Sequence, residues 1–189
     1  KTSVTRWNVL YKAIARANKI VNALDKGSAS GLREAKVNQY KGEAYFMLGF
    51  AYGELTAYYG DCILNNNMSL NEAYHAARSP KEKVLEYAYE CFDKAIEYLP
   101  ATITGQLRPT KGAALGFKAR FALFHQDWQT AADAAKQCMD LNVYELHDNY
   151  LDLFKADKSK ELMFYFKGNL ALKKGFGLFT DIRNTIIRK

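Results

Sequence analysis

Residues 42–60 (GEAYFMLGFAYGELTAYYG) are apolar or small on nearly every side when wound as a helix. A helix without a polar face must be covered all round, which predicts a stacked helical array rather than a lone amphipathic element. No uninterrupted apolar run approaches the roughly 18–20 residues of a membrane-spanning helix. The covering must therefore come from other segments of protein.

Within that run Leu48, Gly49 and Tyr52 stand at the Leu-Gly-x-x-Tyr spacing of the first helix of a tetratricopeptide hairpin. The second helix is signalled by Ala88, Phe92, Ala95 and Pro100, in the order Ala-x-x-x-Phe-x-x-Ala-x-x-x-x-Pro. Ala88 follows Tyr52 by 36 residues. In the ordinary repeat the step is about nine, so roughly 27 residues are inserted into the inner turn. A long excursion between two paired helices is usually functional or disordered. Ser79-Pro80-Lys81-Glu82 predicts the start of the second helix, with Ser79 as N-cap, Pro80 at the first helical position and Glu82 closing a capping box.

A second hairpin follows. Thr110 to His125 reads as its first helix, with Ala113, Ala114, Phe117, Phe121 and Phe124 on the packing face. The turn His125-Gln126-Asp127-Trp128 leads to its second helix, where Ala131, Ala135 and Cys138 take the small positions. Upstream, Trp7, Leu10, Tyr11, Ile14, Val21 and Leu24 recur at spacings of three and four, predicting a helix from about Thr5 to Leu24. Asn18 falls on that face, and is expected to bond a neighbouring backbone group. Lys26 to Gly31 reads as a flexible loop.

These pieces in order resemble the SusD/RagB-like family of nutrient-binding outer-membrane lipoproteins. The resemblance is carried by Trp7, Leu10, Tyr11, Ile14, Ala17, Asn18 and Ile20, then Gly42 to Phe46 and Tyr59-Gly60-Asp61. It continues through Lys111 to Leu115 with Ala119-Arg120, Asp127-Trp128 with Ala131, and Tyr144 with Leu146. Tyr150, Leu153 and Phe154 then lead into Glu161 to Phe164. It implies an all-α, tetratricopeptide-like superhelix with a long insertion and a short extended segment near the C-terminus. It further implies non-catalytic binding of glycans, or less often peptides, and delivery to a TonB-dependent transporter of the SusC type. The implied location is the cell surface, on an outer membrane reached only through an N-terminal lipid anchor absent from this chain. Members of the family are longer, and the chain opens at Lys1 without initiator Met, signal peptide or lipobox Cys. It is therefore expected to be part of a longer protein, with residues 1–189 forming a single helical-repeat domain. A tetratricopeptide adaptor that binds protein partners is the competing reading.

Charge excludes little but locates much. Residues 1–154 carry 18 Lys and Arg against 17 Asp and Glu, while residues 155–189 carry 9 against 3. The basic positions of that tail are scattered, with no helix face or aromatic-basic motif, so no nucleic-acid partner is expected. Nor is catalysis. His75, His125 and His147 are isolated, which argues against a zinc site, and no Gly-x-Ser-x-Gly elbow exists. Glu43 and Glu54 stand about 16 Å apart along one helix at 1.5 Å per residue, too far for either glycosidase geometry. Each is expected to bond a neighbouring loop. No cofactor or metal is implied. Cys91 and Cys138 read as small core residues, and Cys62, at the start of the insertion, as a residue open to exposure.

A sugar site combines aromatic platforms with amide, carboxylate and guanidinium hydrogen bonding. The insertion supplies that mixture, and Asn65, Asn66, Asn67, Tyr74 and Arg78 are the candidate ligand-binding residues. The same composition also suits a polar loop rich in turn formers. Asp61 and Trp7 are read as structural, the one as a corner and the other as a core anchor.

Overall fold

The structure is a computed structural model that describes residues 2–27, 30–65, 72, 75–102, 108–150 and 161–164. Among the described residues five named helices follow one another: α1 (Thr2–Asp25), α2 (Glu34–Tyr59), α3 (Lys81–Tyr98), α4 (Lys111–Phe124) and α5 (Trp128–Asp140). No strand occurs among the described residues, only an isolated antiparallel bridge between Cys62 and Ser79. The architecture is the all-α, tetratricopeptide-like one, with α2 and α3 as one hairpin and α4 and α5 as the next.

Why α2 sits at the centre follows from its side chains. Its buried residues include Ala44, Phe46, Leu48, Ala51, Tyr52, Leu55 and Thr56, spread around the whole helix. It packs on α1 on one side, on α3 along its length, and on α4. Glycines set how close those neighbours come. A Cβ on Gly49 would lie 3.0 Å from the Phe92 ring of α3, and one on Gly53 would lie 2.6 Å from the Phe121 ring of α4. Ordinary side chains there would push the helices apart.

Two clusters of buried side chains result. Leu10, Ile14 and Val21 of α1 meet Leu48, Tyr52 and Leu55 of α2 and Val84 and Ala88 of α3. Phe46 of α2, Phe92 and Leu99 of α3, and Phe121 of α4 make the second. Phe46 lies edge-on to Phe117 at 5.5 Å and to Phe164 at 5.3 Å. Full burial of such a side chain contributes about 1.5–3 kcal/mol. The segment Glu161 to Phe164 is thereby tied to both hairpins, through Phe164 to Phe46 of α2 and Phe117 of α4, with Met163 lying 3.2 Å from a Cβ built on Gly116. The short extended segment expected near the C-terminus, read from the sequence as residues 161–167, continues into 165–167, which lie outside the described residues.

Four expectations are corrected. Ser79 does not cap α3. Its backbone is paired with Cys62, through Cys62 N–H to Ser79 O at 3.3 Å and Ser79 N–H to Cys62 O at 2.9 Å. That pairing holds Ser79 away from the helix start, Pro80 takes the N-cap position without a side-chain bond, and Asp61 Oδ1 accepts from Lys81 N–H at 3.0 Å. Phe124 is 63% exposed, because the chain leaves α4 at His125 and no further turn covers it. In α5 the buried pair is Ala131 and Ala134. Ala135 faces out, since a stripe running 131–134–138 places its neighbour about 100° away. Cys62 is fully buried, drawn in by the bridge to Ser79.

Candidate ligand site at the root of the insertion

The insertion leaves the end of α2 and returns at the start of α3, and its two roots lie beside α1, at Tyr11 and Asn18 for the outgoing chain and at Trp7 for the returning one. Gly60 makes the exit possible: its φ of 68° is left-handed, a conformation that costs glycine little, and its N–H closes the last turn on Thr56 O. The Cys62–Ser79 bridge then clamps the outgoing and returning chains together.

Three helix side chains hold the outgoing chain. Tyr11 of α1 donates to Ile63 O at 2.8 Å, and Asn18 of α1 donates to Asn65 O at 2.8 Å. Tyr52 of α2 donates to the same carbonyl at 2.9 Å and accepts from Asn65 N–H at 2.9 Å. Asn18 thus satisfies a backbone group, as its position on the apolar face implied. Burial pushes the Tyr11 and Tyr52 hydroxyls well above the usual phenol range and the Cys62 thiol up to about 11. All three stay protonated near neutrality. The hydroxyls keep their donor role, and the thiol remains an inert filler.

The returning chain carries Arg78. Its guanidinium lies 5.4 Å from the centre of the Trp7 ring. Trp7 in turn touches Tyr11, with ring centres 4.8 Å apart, and meets Tyr59 edge-on at 5.0 Å. Arg78 is a candidate by its chemistry, whereas the sequence favours a core-anchor role for Trp7. In the structure Trp7 is half-buried, at once packed on the core and part of the insertion's root. A signal was present in the pairing of Trp7 with Tyr11 four residues on and in the doublet Tyr58-Tyr59. Tyr58, 60% exposed, also carries the Arg6 guanidinium 4.1 Å from its ring centre.

Of the five candidate residues, the structure brings Asn65 and Arg78 to the two roots of one loop. Asn66, Asn67 and Tyr74 lie outside the described residues. The carboxylates are placed as loop and helix ties. Glu43 receives Arg108 in a two-pronged pair, both contacts at 2.9 Å, together with Gln39 Nε2 at 3.0 Å. Glu54 lies 4.0 Å from Arg6, and burial raises its carboxyl against the pull of Arg120 and Arg6. His125 Nε2 lies 3.2 Å from Thr56 Oγ1, its pKa lowered by burial. Among the described residues no three His, Cys, Asp or Glu side chains gather as metal ligands, and no helix is long and apolar enough to cross a membrane.

Fold and site together define a helical-repeat scaffold that presents one inserted loop. Residues 1–123 match the family described as SusD-like, starch-binding and associating with the outer membrane, and the chain belongs to that family. It is 26% identical over 162 residues to SusD-like protein P2 of Formosa agariphila, covering 82% of this chain and 31% of that protein. Among solved structures, a SusD superfamily protein from Bacteroides thetaiotaomicron superposes with a TM-score of 0.79 at 22% identity, over 89% of this chain and 40% of that one. A SusD-like carbohydrate-binding protein from Bacteroides fragilis gives 0.69 at 25% identity, over 78% and 29%. The chain spans 31% and 29% of the length of two curated relatives that it matches.

Proposed function

We propose that this chain is the helical part of a cell-surface protein that binds oligo- or polysaccharide nutrients without chemistry. Residues 1–189 act as one domain within it, and the bound glycan passes to a SusC-type, TonB-dependent transporter. An N-terminal lipid anchor upstream of Lys1 holds the protein to the outer membrane. The observation that carries the reading is the family match over residues 1–123, which contains both the helix hairpin and its insertion. Support comes from the insertion's outgoing root, fastened to α1 and α2 by three side-chain ties at Ile63 and Asn65; the candidates Asn65 and Arg78 stand at the two roots, and Asn66, Asn67 and Tyr74 follow between them in the sequence. A residue whose backbone is fixed in this way, as that of Asn65 is, has less freedom to lose when a ligand arrives, which favours affinity. The commitment of Glu43 to Arg108 speaks for binding over acid–base work.

The test is calorimetric titration of the full-length protein with neutral and acidic oligosaccharides. Binding that weakens at least tenfold in Tyr74→Ala and Arg78→Ala supports the reading. Failure of every saccharide to bind, or recovery of soluble protein partners without an outer-membrane transporter in pull-downs, overturns it.

A further inference from the structure

α1 packs on α2 along one side, burying Leu10, Ile14, Ala17 and Val21. The side turned away from that stripe carries Lys12, Arg16 and Lys19, all exposed, at steps of four and three residues. At 3.6 residues per turn, Val9 and Ile20 fall on the same arc of about 100°. They are 57% and 45% exposed, so the arc is apolar as well as basic. No acidic group answers its cations. The one carboxylate of α1, Asp25, ends the helix and is held by Lys41 at 2.6 Å. Among the described residues Lys12, Arg16 and Lys19 make no ion pair or hydrogen bond, whereas Arg6, nearer the helix start, is committed to Glu54 and Tyr58. Like charges three and four apart on a helix repel. An ordinary solvated face mixes signs, as α5 does in pairing Lys136 with Asp140 at 3.1 Å.

From this arrangement we infer that the outer face of α1 lies against an anionic membrane surface. Its three cations meet headgroup phosphates, and Val9 and Ile20 reach the boundary with the acyl chains. The inference goes beyond glycan binding and rests on the outer-membrane location proposed above. Headgroup phosphates supply the missing counter-charge, each cation strengthening attachment about fivefold. Exposed branched aliphatics beside cations suit a lipid interface. A soluble polyanion offers them nothing, and no aromatic ring stands on the arc to stack a sugar. The family that the chain matches is described as associating with the outer membrane. One acyl chain alone holds a protein marginally, and a basic patch is a second signal that makes anchoring stable. Trp7, Tyr11 and Asn18, at the insertion's roots, stand about 150° around the helix from the centre of this arc. A docked α1 therefore leaves that loop turned away from the lipid.

The test is co-sedimentation of the full-length protein, produced without acylation, with vesicles of equal parts phosphatidylglycerol and phosphatidylcholine and with phosphatidylcholine alone. Binding to the anionic vesicles is expected, at least tenfold weaker to the neutral ones and lost in about 1 M salt, where the Debye length is about 3 Å. Lys12→Gln, Arg16→Gln and Lys19→Gln together should weaken it about a hundredfold with an unchanged melting temperature. Val9→Ser with Ile20→Ser should weaken it severalfold while the cations remain. No preference for anionic vesicles, or a preference that survives the triple replacement, overturns the inference. Equally tight binding to soluble polygalacturonate, indifferent to Val9→Ser and Ile20→Ser, overturns it in favour of a polyanion. Saccharide calorimetry on the same protein separates the two readings. Saccharide binding without vesicle binding removes the membrane face alone, and vesicle binding without any saccharide binding removes the glycan reading alone.

Discussion

Tyr52, buried at the centre of α2, turns its hydroxyl onto the backbone of Asn65, donating to the carbonyl and accepting from the amide, each at 2.9 Å. One side chain thus serves the hairpin core and the root of the loop together. The Leu-Gly-x-x-Tyr tyrosine, a packing residue by its spacing, has a hydrogen-bonding task that couples the scaffold to the insertion.

Tyr52→Phe keeps the ring and removes that coupling. Asn65 N–H loses the Tyr52 oxygen, and leaving a part-buried group without it costs about 1 kcal/mol, the low end of the range for buried groups. Urea unfolding should show a loss of that size. Asn18→Ala, which removes only one of two donors to the same carbonyl, should cost less. If the insertion binds glycan, Tyr52→Phe also weakens binding, because the freed root must be ordered again by the ligand. Equal effects of Tyr52→Phe and Asn18→Ala would contradict the shared-carbonyl geometry.

Asp61 caps a helix that begins 20 residues later. Loss of an N-cap acceptor costs about 0.5–2 kcal/mol. Asp61→Ala should lower stability by that amount and speed amide exchange at Lys81, while Asp61→Asn, which retains an acceptor oxygen, restores most of it. Ser79→Ala should change stability by less than about 0.5 kcal/mol, within the range of ordinary surface substitutions. A large effect of Ser79→Ala would return the cap to Ser79.

This cap shows where the sequence was legible and where it was not. The helices were, because three- and four-residue spacing is local: α1 and α2 differ from expectation mainly in length. Asn18 was legible as a satisfied buried polar group, though not its partner. The Asp61–Lys81 bond, the Tyr11 and Tyr52 ties and the Arg78–Trp7 contact join residues brought together by the path of the insertion, which no periodicity encodes. Local pattern likewise suggested a Ser-Pro-x-Glu cap, and the long-range Cys62–Ser79 bridge overrode it. Ala135 was misplaced by one position because Ala134-Ala135 are alike in sequence and differ only by a 100° step in the helix.

Close approach between α2 and its neighbours makes Gly53 sensitive. A Cβ there would lie 2.6 Å from the Phe121 ring, a separation that requires the ring or the helix to move. Gly53→Ala gains helix propensity of about 1 kcal/mol, but overpacking costs about 1–3 kcal/mol, so net destabilisation is expected by thermal or urea unfolding. Phe121→Leu in the same chain should recover part of the loss. Stabilisation by Gly53→Ala alone would show that the helices are not in contact at this point.

Alkaline pH tests the buried thiols. Burial raises Cys62 from 9.0 to about 11 and Cys91 from 9.0 to about 12. The folded state keeps these protons when the unfolded chain has lost them. Their contribution is therefore full below about pH 9 and declines as pH rises toward 11 and 12. Urea midpoints should be level from pH 7 to 9 and then fall, with a shallower fall in Cys62→Ala. At pH 8 a thiol reagent should modify half-buried Cys138 before Cys62 and Cys91, which react only on unfolding. Early modification of Cys62 would place it at the surface.

Arg78 and Trp7 allow the insertion to be followed by fluorescence. The chain has two tryptophans, Trp7 and Trp128, and Trp128 is 62% exposed at the first position of α5. Trp128→Phe therefore leaves a single emitter whose ring lies 5.4 Å from the Arg78 guanidinium. A saccharide that engages Arg78 must draw the guanidinium toward its hydroxyls or displace it from the ring, and either changes the field at the indole. Trp128→Phe should thus report saccharide binding as a shift in Trp7 emission, and Trp128→Phe with Arg78→Ala should bind at least tenfold more weakly. The cation contributes about 0.5–1 kcal/mol at an exposed ring, so Arg78→Ala should lower stability by no more than that. A large fall in stability would assign Arg78 to the core, and unchanged affinity would remove it from the ligand site.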